Sequence, residues 1–201
     1  ANTTANDNSA FGNKALAANT TGSNNTGCGA NTLQANTTGA YNVAIGRNAL
    51  VANTTASNNT AVGYAALDAN TTGTQNTALG KGAAGSNTTG GYNVAVGENS
   101  MRDHTTGSYN TVVGQDALRT NTTTSSHVAL GYSALGLNTS GVNNTAVGTS
   151  ALAANTTGDR HAAVGISALG SNTTGIQSTA IGGSSLALNT TGSYLTAVGF
   201  E

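Results

Sequence analysis

Apolar residues recur along this chain at one fixed spacing. A glycine that follows an apolar residue returns every 17 residues from Gly12 to Gly199, without insertion or deletion. A second apolar position, usually leucine, lies four residues after each of these repeat glycines. Stacked coils require a constant repeat length, whereas disordered low-complexity chains tolerate slippage. The pattern therefore predicts a solenoid in which each 17-residue repeat forms one coil.

The residue types within each repeat favour strands over helices. The apolar segments are short, β-branched Thr, Val and Ile are abundant, and glycine would weaken a helix in every repeat. We expect a strand around N-T-A-V, a glycine corner, a second strand around x-x-A-L and a turn at N-T-T-G. The prediction is an all-β parallel β-solenoid of about 12 coils. Residues 1–201 form a single repeat array, which we interpret as an excerpt of a longer fibre without caps.

Two apolar columns are the expected core, namely the residue before each repeat glycine and the leucine after it. The representative core positions are Gly46, Gly63, Gly97, Gly148, Val62, Val96, Val147, Leu50, Leu67 and Leu152. Cys28 occupies a valine position, so we expect a buried thiol.

The position two before the glycine is nearly always alanine. Either the coil interior is thin or another chain packs there. Because a coil with two sizeable side chains buries little apolar surface, we favour a second chain on this face.

Asparagine forms two further columns, which predict amide ladders along the stack or Asx turns. His104, His127 and His161 occupy asparagine positions and are expected to replace them in turns. One asparagine column also matches the Asn-x-Ser/Thr sequon, in eleven copies counting Asn2. The sequence leaves open whether this column is glycosylated or has a purely structural role. Its candidate acceptors are Asn19, Asn36, Asn53, Asn70, Asn87, Asn121, Asn138, Asn155, Asn172 and Asn189.

Composition and charge narrow the function classes. Charged residues are only 6% of the chain, and six Lys and Arg cannot form a patch for nucleic acid. No apolar run is long enough to span a membrane, and no catalytic, metal or cofactor motif is present, so we expect neither an enzyme nor a cofactor. Variable positions carry the charges and the tyrosines and are expected to meet partners. The tyrosines of one column are Tyr41, Tyr92, Tyr109 and Tyr194, and Tyr64 and Tyr132 share another.

Several segments resemble a known family of surface fibres. N-V-A-I-G at residues 42–46, N-V-A-V-G at 93–97 and N-T-A-V-G-Y-A-A-L at 59–67 are similar to the YadA-like head repeats of trimeric autotransporter adhesins. The longer unit resembles arrays in phage tail-fibre and bacterial surface-fibre proteins. The resemblance implies a left-handed β-roll, three chains around one axis, and an extracellular or virion location. The 17-residue repeat is longer than is typical of those heads, and an enlarged N-T-T-G turn would account for the difference.

The leading functional prediction is a non-enzymatic extracellular fibre module, a stalk or adhesive head that self-associates as a homotrimer. Its partners would be its own copies and a glycan or protein on a host surface. One alternative is an extracellular filament with sugars on the N-T-T column. Another is an ice-binding solenoid with a flat threonine array. Against the latter, successive Thr side chains of a turn point to different faces.

Overall fold

The computed structural model describes residues 4–200 and confirms an all-β parallel solenoid with one coil per 17-residue repeat. Twelve three-residue strands form one parallel sheet in chain order. Each strand pairs with the strand 17 residues away, so that Val62, for example, lies beside Leu79. At about 4.8 Å between paired strands, the sheet is about 50 Å long. Within the described range, no helix is long and apolar enough to cross a membrane.

The strands all end at the residue before a repeat glycine. They are β1 Ser9–Phe11, β2 Thr26–Cys28, β3 Val43–Ile45, β4 Thr60–Val62, β5 Thr77–Leu79, β6 Val94–Val96, β7 Thr111–Val113, β8 Val128–Leu130, β9 Thr145–Val147, β10 Ala162–Val164, β11 Thr179–Ile181 and β12 Thr196–Val198.

The predicted second strand of each coil is wrong. The six residues after each repeat glycine, 47–52 for example, form a chain of turns that we call the turn segment. Asn48 and Leu50 have φ values of 62° and 51°, in the left-handed region that a strand does not use. Backbone bonding to the next coil nevertheless continues, since Leu50 N donates to Ala66 O at 3.1 Å. The coils are therefore bonded to each other through the turn segments as well as the sheet.

The buried core differs from the prediction in one column. Leu50, Leu67 and Leu152 are fully buried, which confirms the leucine column. The alanine column in the middle of the strands is buried as well, represented by Ala61 and Ala95. Alternation along a strand then places the residue before the glycine on the opposite, outer face.

The prediction that Val62, Val96 and Val147 lie in the core is therefore wrong, because all three are only partly buried and point outward. Cys28, of the same column, is exposed rather than buried. The alanine face needs no second chain to cover it, because the thin interior of the coil covers it already. Small residues fill this column in most coils because the leucine column and the asparagine ladders share the same thin interior, and Val112 is the largest side chain that it holds.

The repeat glycine is required by both backbone conformation and stacking. Gly63 has φ +139°, and a Cβ added there would lie 2.4 Å from the carbonyl oxygen of Gly80 in the next coil. Gly46, Gly97 and Gly148 have the same conformation and the same close approach. Any side chain in this column would push neighbouring coils apart, which confirms its place at the corner of the coil.

Candidate functional site: the ladders, the outer sheet face and the turn segments

Two asparagine ladders run through the interior of the solenoid. In one coil, the Nδ2 atoms of Asn25 and Asn36 donate to the same carbonyl oxygen, Gly39 O, at 2.8 and 2.9 Å. Asn36 Nδ2 also donates to Oδ1 of Asn19 in the preceding coil at 2.8 Å, and Asn25 Oδ1 accepts the backbone N–H of Asn42. The amides thus join each coil internally and bond it to its neighbours, as the sequence predicted.

The same geometry determines what the sequons can do in the folded chain. Asn2 lies outside the described residues. The sequon asparagines from Asn19 to Asn172 are buried, and Asn189 is partly buried. Asn53 Nδ2, the atom that would carry a sugar, donates to Asn36 Oδ1 at 2.8 Å and to Ala56 O at 3.0 Å. A glycan on Nδ2 would have to be added before the coil closes, so this geometry favours the structural role of the column.

The two threonines that follow each sequon asparagine have different environments. The hydroxyl of the first, such as Thr71, donates to the next coil's Thr88 O at 3.1 Å. The second threonine is exposed in every coil. We call this column the threonine row, and its members are Thr21, Thr38, Thr55, Thr72, Thr89, Thr106, Thr123, Ser140, Thr157, Thr174 and Thr191. The threonine row is therefore the file of hydroxyls on this edge that is exposed in every coil between residues 21 and 191.

The outer face of the sheet is a continuous uncharged surface with one largely apolar column, and we call it the outer sheet face. It consists of the first and third residues of every strand, a column of mostly Thr and Val beside a column of mostly Val, Ile and Leu. Ile45, Leu79 and Ile181 are 42%, 48% and 44% exposed. No charged residue lies in either column of the twelve strands. An exposed apolar surface of this extent is typical of an interaction site.

The tyrosines lie on the surface, as predicted. Tyr41, Tyr92, Tyr109 and Tyr194 are between 51% and 70% exposed. Tyr92 and Tyr109 stack on each other, with their ring centroids 5.0 Å apart. The structure does not bring Tyr41 and Tyr194 into this stack, because other residue types occupy the column in the intervening coils.

Charged residues concentrate on the turn segments in the middle of the rod. Seven of the 13 charged residues of the chain lie in these segments between residues 68 and 119. Lys81 Nζ bonds to Glu98 Oε1 at 3.0 Å, and Arg102 bonds to both carboxylate oxygens of Asp103 at 2.7 and 2.9 Å. A notch of about 440 Å³ opens among them. The repeat pattern does not predict this notch, although the glycine-rich segment K-G-A-A-G-S at 81–86 is a usable signal for it.

The three histidines are buried in the ladders rather than at surface turns. His127 Nδ1 accepts the backbone N–H of Asn144 at 3.3 Å, and Nε2 lies 2.9 Å from Thr124 Oγ1. Burial lowers the pKa of His127 to about 4 and also lowers the pKa of His104 and of His161. The neutral ring of His127 therefore replaces the hydrogen bonding of an asparagine amide. Its Nδ1 accepts a hydrogen bond from the next coil, and its Nε2 carries the donor N–H.

His104 interrupts the other ladder. Its Nε2 lies 2.9 Å from Gly107 O and its Nδ1 3.1 Å from Asn121 Oδ1, both of them acceptors. The preceding member of the ladder, Asn87, is left with a buried Oδ1 that has no hydrogen-bond donor. The middle of the rod is therefore the least regular part of the ladder.

Comparisons with known proteins complete this description. Among residues 4–200, no group of three His, Cys, Asp or Glu side chains is placed to hold a metal ion. No protein-family model matches the chain, and neither the curated proteins nor the solved structures contain a significant match to it.

Proposed function

We propose that this chain is the structural rod of an extracellular fibre, assembled from three copies that pack around one axis through their outer sheet faces. The observation that carries the proposal is the outer sheet face itself, which is uncharged, has one column of mostly Val, Ile and Leu, and is continuous over about 50 Å. The sequence resemblance to trimeric surface fibres supports the same assembly.

The periodicity of the face favours a second copy of the same chain over an unrelated partner. Each coil presents a similar pair of uncharged outward residues, such as Thr60 with Val62 or Val43 with Ile45. Two copies that lie side by side therefore match at every coil, because their spacing is identical. Burial of partly exposed Val, Ile and Leu side chains would stabilise this contact by about 25 cal/mol per Å² of apolar surface.

Sedimentation of the purified chain tests the assembly. We expect a species of three times 19.5 kDa, about 58 kDa. Val96→Lys would place a charge on the outer sheet face and should give a monomer with an unchanged circular dichroism spectrum. Thr72→Lys, on the threonine row, is the matched control and should remain trimeric. A stable wild-type monomer, or a Val96→Lys protein that stays trimeric, would refute the proposal.

Cys28 reports on the orientation of the copies. It is exposed in the outer column of β2, near one end of the sheet. In a parallel trimer the three Cys28 side chains lie at the same height, so mild oxidation should produce disulfide-linked chain pairs. With one copy reversed, its Cys28 would be separated from the other two by most of the length of the rod, and only the two copies that point the same way could be linked. Absence of cross-linking in an assembled sample would exclude the parallel arrangement.

One observation favours ice binding as a second candidate function. The threonine row keeps a hydroxyl in each coil although it is exposed. In contrast, the residue type is not constant in the exposed column that directly follows the repeat glycine. This column contains Arg47, Tyr64, Glu98 and Ile166. A uniform file of hydroxyl and methyl groups at the coil spacing offers a regular surface to ordered water.

Thermal hysteresis and inhibition of ice recrystallisation would measure this activity. Thr72→Lys interrupts the row and should reduce both, whereas Val96→Lys should leave them unchanged. Loss of activity in Val96→Lys but not in Thr72→Lys would assign the effect to the outer sheet face. No activity in the wild-type chain would remove this candidate.

A further inference from the structure

The notch in the middle of the turn segments exists because one coil has glycine at two positions of its turn segment. In coil 80–96, glycine occupies positions 82 and 85, and neighbouring coils carry larger residues there. A Cβ at Gly85 would lie 3.3 Å from Asp68 Oδ1, and a Cβ at Gly82 would lie 3.0 Å from Asn99 Oδ1. The notch therefore opens directly onto polar side chains of the two adjacent coils.

The residues around the notch combine an aromatic ring with polar groups. Tyr64 is half exposed at its wall. Asp68 and Arg102 occupy the same column as Gly85, one coil to either side, so they are about 10 Å apart along the rod. The volume of about 440 Å³ lies within the range of about 300–1,000 Å³ for pockets that hold small molecules.

The charges around the notch define the chemistry it would accept. Lys81 and Arg102 are already neutralised by Glu98 and Asp103. None of the ion pairs among residues 4–200 includes Asp68, and partial burial raises the pKa of its carboxyl group. An anionic ligand would meet no free cation, whereas a ligand rich in hydroxyl groups can donate to the Asp68 carboxylate alongside its interactions with the backbone of Asp68 and Ala69.

We propose that this notch binds one pyranose unit of a neutral glycan, with the apolar face of the sugar against the Tyr64 ring and its hydroxyl groups bonded to Asp68. The cations Lys81 and Arg102 would provide additional donors to the sugar oxygens. The site lies on the turn segments and not on the outer sheet face. It gives the rod a ligand-binding function beyond its structural one.

A second notch provides a comparison within the same chain. It has a volume of about 300 Å³ and contains Tyr132, Gly136, Arg119 and Asp116. There the carboxylate is not free, since Asp116 lies 3.9 Å from Arg119 Nη1. We therefore assign sugar binding to the first notch, where the acceptor has no cation partner.

Saturation-transfer difference NMR is a suitable test, because it works for a single chain and for a large assembly. The probes are the methyl glycosides of glucose, galactose, mannose and N-acetylglucosamine, with glucuronic acid as an anionic comparison. We expect saturable transfer to at least one neutral glycoside and weaker transfer to glucuronic acid. No transfer to any neutral glycoside, or stronger transfer to glucuronic acid, would overturn the proposal.

Three variants locate the binding. Gly85→Gln fills the notch with a side chain that the same column accepts at Gln34, and Asp68→Ala removes the acceptor. Each should weaken binding about ten-fold or more, as expected for loss of a hydrogen bond to a charged group. Ala17→Gln makes the same kind of change in the same column four coils away and should bind as the wild type does. Unchanged binding by Gly85→Gln would overturn the assignment. If all three variants sediment as the wild type does, a change in binding cannot be attributed to a change in assembly.

Discussion

Acid should destabilise the solenoid through His127, and replacement by asparagine should reduce this effect. In the folded chain, Nδ1 of His127 accepts the backbone N–H of Asn144 at 3.3 Å. A proton on Nδ1 would bring two donors together, in a ring that is 1% exposed. Burial lowers the pKa of His127 from 6.5 to about 4, with a smaller unfavourable effect from His104 and a favourable one from Asp159.

The sign and size of the effect follow from this pKa. Between pH 6.5 and pH 4 the unfolded chain binds a proton at His127 that the folded chain does not, so stability falls as the pH falls. Each tenfold difference in proton affinity is worth about 1.4 kcal/mol, so the loss over this window is about 3 kcal/mol. His127→Asn retains an acceptor for Asn144 N and does not titrate.

Urea unfolding of the wild-type chain and of His127→Asn, at about pH 7.5 and about pH 4.5, measures the difference. We expect the two proteins to have similar stability at the higher pH, and the variant to lose about 2–3 kcal/mol less than the wild type on acidification. Some acid sensitivity should persist in the variant, since burial lowers the pKa of His104 and His161 as well. An equal loss in both proteins would refute the reasoning.

Three further changes test the ladder, the corner and the core by their urea midpoints. His104→Asn supplies an Nδ2 donor to the buried Oδ1 of Asn87 and should stabilise the chain by about 1–3 kcal/mol; an unchanged midpoint would contradict this. Gly63→Ala, at φ +139°, should cost roughly 3 kcal/mol or more, whereas Gly85→Ala, outside the left-handed region, should cost less than about 1 kcal/mol; equal losses would show that the corner is not special. Leu67→Ala should cost about 2–5 kcal/mol, and a smaller loss would mean that the core closes around the cavity.

The sequence predicted those features of the fold that depend on period. The constant spacing of the repeat glycine gave the number of coils and the parallel register. The leucine column was correctly expected in the core, and amide ladders were correctly expected along the asparagine columns, although their burial was not predicted. The positive φ values of the turn segment were harder to predict. Asn48 is a residue type that accepts the left-handed region, but Leu50 adopts it as well, and leucine gives no local signal for that conformation.

The inside and outside of the strand were assigned the wrong way round for a physical reason. Apolar size normally indicates burial, so Val62 was expected inside and Ala61 outside. The interior of this coil is too thin for that arrangement, because the leucines and the asparagine amides already fill it. Small side chains therefore dominate this column, in which Val112 is the largest residue. The width of the interior depends on how the turn segment folds back, and the alternation of residues along one strand does not contain that information.

Stacking of identical coils also has a genetic consequence. Within residues 4–200, each coil bonds to the coil before it and the coil after it, as at Asn36 with Asn19 and Asn53. Deletion or duplication of 17 codons, in phase with the repeat, would therefore leave all remaining coils with the neighbours they require. Misalignment between tandem copies during replication produces changes of this kind. The reach of the protein could thus change in steps of about 4.8 Å by copy number alone, with no new side-chain packing to evolve.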